Sequence, residues 1–139
     1  MKITQIRNAT VLLEFESNRK SIGLLVDPML SRHGAMPAFK YFGGSVRRNP
    51  TVDLPYNASE LLQRVTHGLI THCQRGHVDH LDRPGSRFLR DRNIPVFCMP
   101  RDSSYLAARG ITIQPLSGEQ TQPFFQGEIT PIQCVHGRG

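Results

Sequence analysis

The stretch that most restricts what this chain can fold into is Thr71-His72-Cys73-Gln74-Arg75-Gly76-His77-Val78-Asp79-His80-Leu81-Asp82. Three histidines and two aspartates fall within the eleven residues 72–82, directly after the apolar run Gly68-Leu69-Ile70. A short apolar run of this kind reads as a buried strand. The cluster then occupies the loop at a strand's C-terminal end, where open α/β sheets place their ligand sites. Neutral imidazole and carboxylate are the usual ligands for zinc, iron or manganese. Packing so many polar titratable groups together is costly unless something pairs with them, and a divalent cation does so. A structural zinc site of Cys73, His77 and His80 has suitable atom types too, but the chain has no Cys-x-x-Cys pair to support it.

The remaining pattern is that of an α/β domain. Ala9 to Phe15 is rich in β-branched and apolar residues and reads as a strand, preceded by a looser one from Lys2 and the short turn Arg7-Asn8-Ala9-Thr10. Ser17-Asn18-Arg19-Lys20 is a polar turn that closes a hairpin. Ile22 to Val26 is continuously apolar, which predicts a strand buried on both faces, and it ends at Asp27-Pro28. Residues 29–56 are irregular, with Pro37, Pro50, Pro55, Gly34, Gly43 and Gly44, aromatic side chains at Phe39, Tyr41 and Phe42, and positive charge at Arg32, Lys40, Arg47 and Arg48. A loop this long in a small domain is either functional or mobile. It reads either as a flap that shapes substrate choice or as an insertion packed on the surface. His33 is its lone histidine.

Asn57 to Val65 reads as a short helix, with Asn57 as N-cap, Glu60 completing a capping box and Leu61, Leu62 and Val65 as the buried stripe. His67 falls at the far end of the next strand from the histidine cluster and reads as structural. A helical turn follows Asp82 through Asp91. Its Arg83, Arg87 and Arg90 can share a face, either to hold a phosphate or as solvated surface. Ile94 to Cys98 reads as a strand, Pro100 to Gly110 as a helix with Gly110 as its C-cap, and Ile111 to Pro115 as a strand. Ser117 to Gln122 is a polar turn. Phe124 to Gln126 and Ile129 to Val135 are expected to pair as antiparallel strands across Gly127-Glu128. The sequence closes on Cys134-Val135-His136-Gly137-Arg138-Gly139, a histidine at a strand end followed by glycine.

With 139 residues the chain is long enough for one domain with a core. Apolar content of 38% and charged content of 20% fit a water-soluble globular protein, and no apolar run approaches the length of a membrane span. The N-terminus enters a strand pattern with no signal-peptide h-region, and the three cysteines are odd in number and scattered. Both point to a reducing, cytoplasmic setting. The net charge of +6, from 17 basic and 11 acidic residues, suits an anionic substrate. The arginines are scattered, and apart from Phe39-Lys40-Tyr41-Phe42 no basic-aromatic interleaving appears, so a nucleic-acid partner is disfavoured.

His77-Val78-Asp79-His80 resembles the second half of the His-x-His-x-Asp-His signature of metallo-β-lactamase-fold hydrolases, and Ile70-Thr71-His72 matches its strand end and first histidine. The opening strands ending in Val26-Asp27-Pro28 are similar to the start of the superfamily's lactonase-like branch. His136 matches the strand end that carries the family's next metal ligand. The spacing departs from the signature, because four residues separate His72 from His77 where the family has one. Either Cys73 to Gly76 form a bulge, which Gly76 favours, and His72 still reaches the metal, or that ligand is lost. The resemblance covers the whole chain but only the family's first half. It implies half of a metallo-β-lactamase αβ/βα sandwich, a mixed β-sheet with helices on one face, in a single domain 1–139 with a long loop insertion at 29–56.

The resemblance further implies a metal-dependent hydrolase that cleaves an ester, lactone or phosphate bond with metal-activated water. His72, His77 and His136 would serve one metal. Asp79 and His80 would serve another, with Asp79 also orienting the nucleophile and Asp27 standing behind the ligands. Zinc is the expected cofactor, with manganese or iron as alternatives and one or two ions bound. The family's second half, with a bridging aspartate and a last histidine, has no counterpart here. The expectation is therefore either a truncated chain or a homo-oligomer that buries an otherwise uncovered apolar sheet face. Two other functions stay open: a non-catalytic metal-binding or self-associating remnant, and a nucleic-acid hydrolase or binder.

Overall fold

A computed structural model describes residues 1–38, 47–73 and 79–132. Six strands form one mixed sheet: β1 (Lys2–Arg7), β2 (Thr10–Ser17), β3 (Lys20–Val26), β4 (His67–Ile70), β5 (Val96–Cys98) and β6 (Ile113–Pro115), adjacent in strict chain order. The first three pair antiparallel through tight turns, and β3 to β6 run parallel. The change of direction has a local cause. Polar turns connect β1 to β2 and β2 to β3, whereas parallel strands need crossovers, which here carry helices. These are α1 (Ala58–Gln63), α2 (Arg83–Asp91) and α3 (Ser103–Ala107), the last preceded by a 3-10 turn at Pro100–Asp102.

Period-two alternation sorts the strand side chains onto two faces. Leu12, Leu25, Ile70, Val96 and Cys98 join Leu61 of α1, Val65 just after it, Leu89 of α2 and Leu106 of α3 in one buried core. The helices therefore cover this face. Two glycines set how closely backbone can approach it. A Cβ on Gly23 would lie 2.1 Å from the Arg64 carbonyl oxygen, and one on Gly85 would lie 2.0 Å from the Pro28 carbonyl oxygen.

The opposite face carries Leu13, Phe15, Leu24, Leu69 and Phe97. A small antiparallel hairpin, β7 (Gln122–Phe124) and β8 (Gly127–Ile129), folds back over part of it. Phe97 meets Phe124 edge-on at 4.7 Å, and His67 and Phe15 meet Phe125 edge-on at 4.9 and 5.3 Å. Next to this aromatic group an open apolar cleft of ≈ 430 Å³ is lined by Leu13, Leu24, Leu69 and Ile129 among others.

Several sequence expectations need correction. The hairpin turns at Phe125-Gln126, not at Gly127-Glu128, because seating both Phe124 and Phe125 in the aromatic group fixes the turn there. Phe125 takes a positive φ of 56° to do so. The expected partner strand from Ile129 is only partly tested, since its end lies outside the described residues. Asn57 occupies the N-cap position of α1 but makes no side-chain cap hydrogen bond, so the capping box is not formed. The expected helix from Pro100 to Gly110 divides into the 3-10 turn and the five residues of α3. Arg83, Arg87 and Arg90 are exposed, and Arg90 pairs with its neighbour Asp91 at 2.7 Å, which fits the solvated-surface alternative.

Gly23→Ala is expected to lower stability by about 2 kcal/mol or more, since its methyl meets rigid backbone where overpacking relaxes poorly. Urea unfolding checks this, with an unchanged midpoint as the contrary result.

Candidate metal centre

The candidate site lies at the carboxyl ends of β3 and β4, and Asp27 is its centre. Asp27 follows β3 directly and is 1% exposed. Its φ of 46° places it in the left-handed region, which aspartate tolerates better than most residues. Two backbone bonds hold that conformation. The Asp27 N–H donates to the Leu69 carbonyl at 3.0 Å, and the Asp27 carbonyl accepts from Thr10 Oγ1 at 2.6 Å. Turned this way, the side chain crosses to the end of β4. Its Oδ1 accepts from the Thr71 N–H at 2.8 Å, and its Oδ2 accepts from Thr71 Oγ1 at 2.6 Å.

The same Oδ2 accepts a bond from His80 Nδ1 at 2.8 Å. Because Nδ1 carries the donated proton, Nε2 is the nitrogen that bears the lone pair when the ring is neutral, the form in which imidazole ligates metals. His72 is oriented in a related way. Its Nδ1 lies 3.2 Å from Thr71 Oγ1, whose proton is already committed to Asp27, so the imidazole donates and the hydroxyl accepts. The two rings are in contact, with centroids 3.8 Å apart. His80 Nε2 lies 3.6 Å from Asp79 Oδ2, close to the roughly 3.4 Å between two ligands at about 2.1 Å in a tetrahedral site.

Of the residues singled out in the sequence, Asp27, His72, Asp79 and His80 are brought together. His77 and His136 lie outside the described residues, as does most of the segment Cys73 to Gly76. Among the described residues no group of three or more histidine, cysteine, aspartate or glutamate side chains is arranged to hold a metal ion as it stands. The donor chemistry nonetheless fits one, since a buried carboxylate fixes the tautomer of a histidine whose other nitrogen faces a second carboxylate.

Burial works against a charged His80, but the hydrogen bond and charge of Asp27, helped by Asp79, outweigh it and raise the imidazole pKa above its ordinary value. Cys73, next to His72, is a different case. Burial pushes its thiol up to about 12, reinforced by the charge and hydrogen bond of Asp102 and by Cys98, against the pull of Arg109. In the metal-free chain it is a neutral, buried core thiol, and the cysteine-based zinc site also needs His77, which lies outside the described residues.

Two residues that the sequence analysis read only as part of a turn, Thr10 and Arg7, and the cluster's second aspartate, Asp82, complete the surroundings. Thr10 is fully buried, donating to the Asp27 carbonyl and accepting the Met29 N–H at 3.0 Å. Asp82 caps α2 by accepting the Gly85 N–H at 2.8 Å. Arg7 is buried against the start of the loop after β3. Only the capping geometry of Asp82 carried a sequence signal, as an aspartate directly before Arg83-Pro84.

No family model matches the sequence. The chain is 32% identical over 141 residues to the UPF0173 protein YddR of Bacillus subtilis (strain 168), a match spanning all of this chain and 52% of that protein. It superposes on a possible metal-dependent hydrolase from Veillonella parvula DSM 2008 with a TM-score of 0.71 at 28% identity, covering 88% of this chain and 44% of that one. An isothiocyanate hydrolase from Delia radicum gut bacteria gives a TM-score of 0.75 at 30% identity, covering 94% and 47%. The chain thus spans about half the length of the curated relative and of both structures. The mixed sheet with helices on one face is the expected half of a metallo-hydrolase sandwich, and both solved structures are named as hydrolases or possible hydrolases. Among the described residues no helix is long and apolar enough to cross a membrane.

In metal-free protein the His80 titration followed by NMR is expected to fall to a lower midpoint in Asp27→Asn. With a raised folded pKa, the stability contributed by the wild-type pair is complete below about pH 6.5. It is lost as pH rises through the folded midpoint, which denaturation at several pH values will show. Cys73 is expected to resist alkylation at pH 8 in the folded chain and to react after unfolding, as residue-resolved mass spectrometry can establish.

Proposed function

We propose that this chain carries metal-holding residues of a metal-dependent hydrolase. The observation that carries the reading is the buried Asp27 carboxylate on His80 Nδ1 at 2.8 Å. A carboxylate behind a histidine is the usual arrangement for orienting a metal ligand and raising its basicity. His80 Nε2 and Asp79 would hold the ion, His72 would join them from the neighbouring ring, and His77 and His136 would add ligands by sequence position. A divalent cation, when bound, supplies Lewis acidity and a lowered water pKa. The chain's own residues do the rest. Asp27 and Thr71 fix the rings, and Asp79 accepts a hydrogen bond from the attacking water and sets its direction.

The substrate class we propose is a small molecule with an electrophilic carbon or phosphorus centre: an ester, a lactone or a phosphate ester. The similarity to a protein named as an isothiocyanate hydrolase adds the isothiocyanate carbon to this group. Zinc, manganese and iron all suit the donor set. A second reading is metal binding without turnover, since among the described residues no group of three or more ligand side chains is arranged to hold an ion as it stands.

Elemental analysis of protein reconstituted separately with Zn²⁺, Mn²⁺ and Fe²⁺ tests the proposal. At least one equivalent is expected, lost in the double variant His77→Ala and His80→Ala, with affinity weakened about 10- to 100-fold in Asp27→Asn. Absence of uptake for all three metals overturns it. Uptake without turnover of an aryl ester, a lactone, a phosphate ester or an isothiocyanate selects the second reading.

A further inference from the structure

Arg7 ends β1 and is 3% exposed. Among the described residues its guanidinium hydrogen-bonds to main-chain carbonyls. Nε and Nη2 donate to the Met29 carbonyl at 2.9 and 2.7 Å, Nη2 also donates to the Ser31 carbonyl, and Nη1 donates to the Val52 carbonyl at 3.1 Å. Met29 and Ser31 begin the long loop and Val52 lies near its close. One side chain thus gathers both ends of residues 29–56. Beyond this knot the two described arms stay paired. Gly34 N–H donates to the Pro50 carbonyl at 2.9 Å, Met36 and Asn49 form a bridge, and His33 N–H donates to Asp53 Oδ1 at 3.2 Å.

Asp82 reaches the same knot from the histidine loop. It is 3% exposed, and its two oxygens serve different elements. Oδ1 caps α2 through Gly85, while Oδ2 accepts the Ser31 N–H at 2.7 Å. A closed circuit results. It runs from His80 to Asp27, through Thr10 to Met29, through Arg7 to Ser31, and through Asp82 back along two residues to His80. An apolar side chain could fill the space of Arg7 without desolvating a charge. What the guanidinium adds is direction, because its fork fixes three carbonyls at once.

We infer that Arg7 and Asp82 are positioning residues that latch the root of the 29–56 loop to the histidine loop, so that a change at one is transmitted to the other. The latch rests on the proposed metal site only for the identity of the ligand that would exploit it. The coupling itself is a property of the two loops.

Hydrogen–deuterium exchange of the full chain, with and without Zn²⁺, tests this in Asp82→Ser and Arg7→Lys. Serine is a good N-cap, so Asp82→Ser keeps α2 capped but is too short to reach Ser31. Lysine keeps the charge of Arg7 without its fork. Thr112→Val, which removes the Thr112–Asn93 bond at the other end of the sheet, controls for general loosening. Exchange is expected to quicken at least fivefold both in 29–36 with 47–56 and in 79–82 for Asp82→Ser and Arg7→Lys. In Thr112→Val these segments should keep wild-type rates. Faster exchange on one side only, or the same change in Thr112→Val, overturns the latch. If wild type takes up Zn²⁺, protection should spread from 79–82 into 29–36, and each latch variant should abolish the spread. Uptake without spread in wild type also overturns it. If wild type takes up no metal, the hydrolase reading loses support from Zn²⁺, while the exchange rates of the metal-free variants still decide the latch.

Discussion

The buried Asp27 carboxylate is the interaction on which the arrangement at the sheet's carboxyl edge depends. A carboxylate this deep persists only if its acceptor sites are satisfied. Here the Thr71 amide, the Thr71 hydroxyl and the His80 ring supply three donors. Those donors come from the end of β4 and from a residue 53 positions away in sequence. Satisfying one side chain therefore fixes where β4 ends, which way Thr71 faces and which nitrogen of His80 is protonated. The left-handed backbone at Asp27 is the local cost of turning the carboxylate inward, and its two main-chain bonds offset it.

The two faces of the sheet are unequal. One is sealed by three short helices against a continuous apolar core. The other is covered in part by β7 and β8 and keeps an open cleft lined by leucine, phenylalanine and isoleucine side chains. The core accounts for the closeness of the strand and helix layers, since Gly23 and Gly85 leave no room for even a methyl group. The open face belongs to a chain that spans about half the length of the proteins it resembles.

Much of this was legible in the sequence, where local pattern and tertiary outcome agree. Val26-Asp27-Pro28 marked a strand end, and Asp27 was singled out there before its partner was known. The apolar run at Gly68-Leu69-Ile70 placed the histidine cluster at the sheet's edge. Arg7 and Thr10 were not legible, because polar residues in a tight turn look the same whether they face solvent or the core. What separates the two cases is carbonyls 17 to 45 positions away, which no local window contains. The turn at Phe125-Gln126 was missed for a similar reason. Gly127-Glu128 is the better turn by local chemistry, and the aromatic packing of Phe124 and Phe125 overrides it.

The strict chain order of the strands bears on how the molecule is built. Each new strand needs only the edge left by the one before it, so loop-closure entropy is met in small instalments and no strand must thread between two others. The hairpins of β1 to β3 can form first and present the edge onto which β4 docks. Asp27 finds Leu69, Thr71 and His80 only once β4 has docked. The acid that orders the sheet's edge is thus itself set in place by the strand it helps to end.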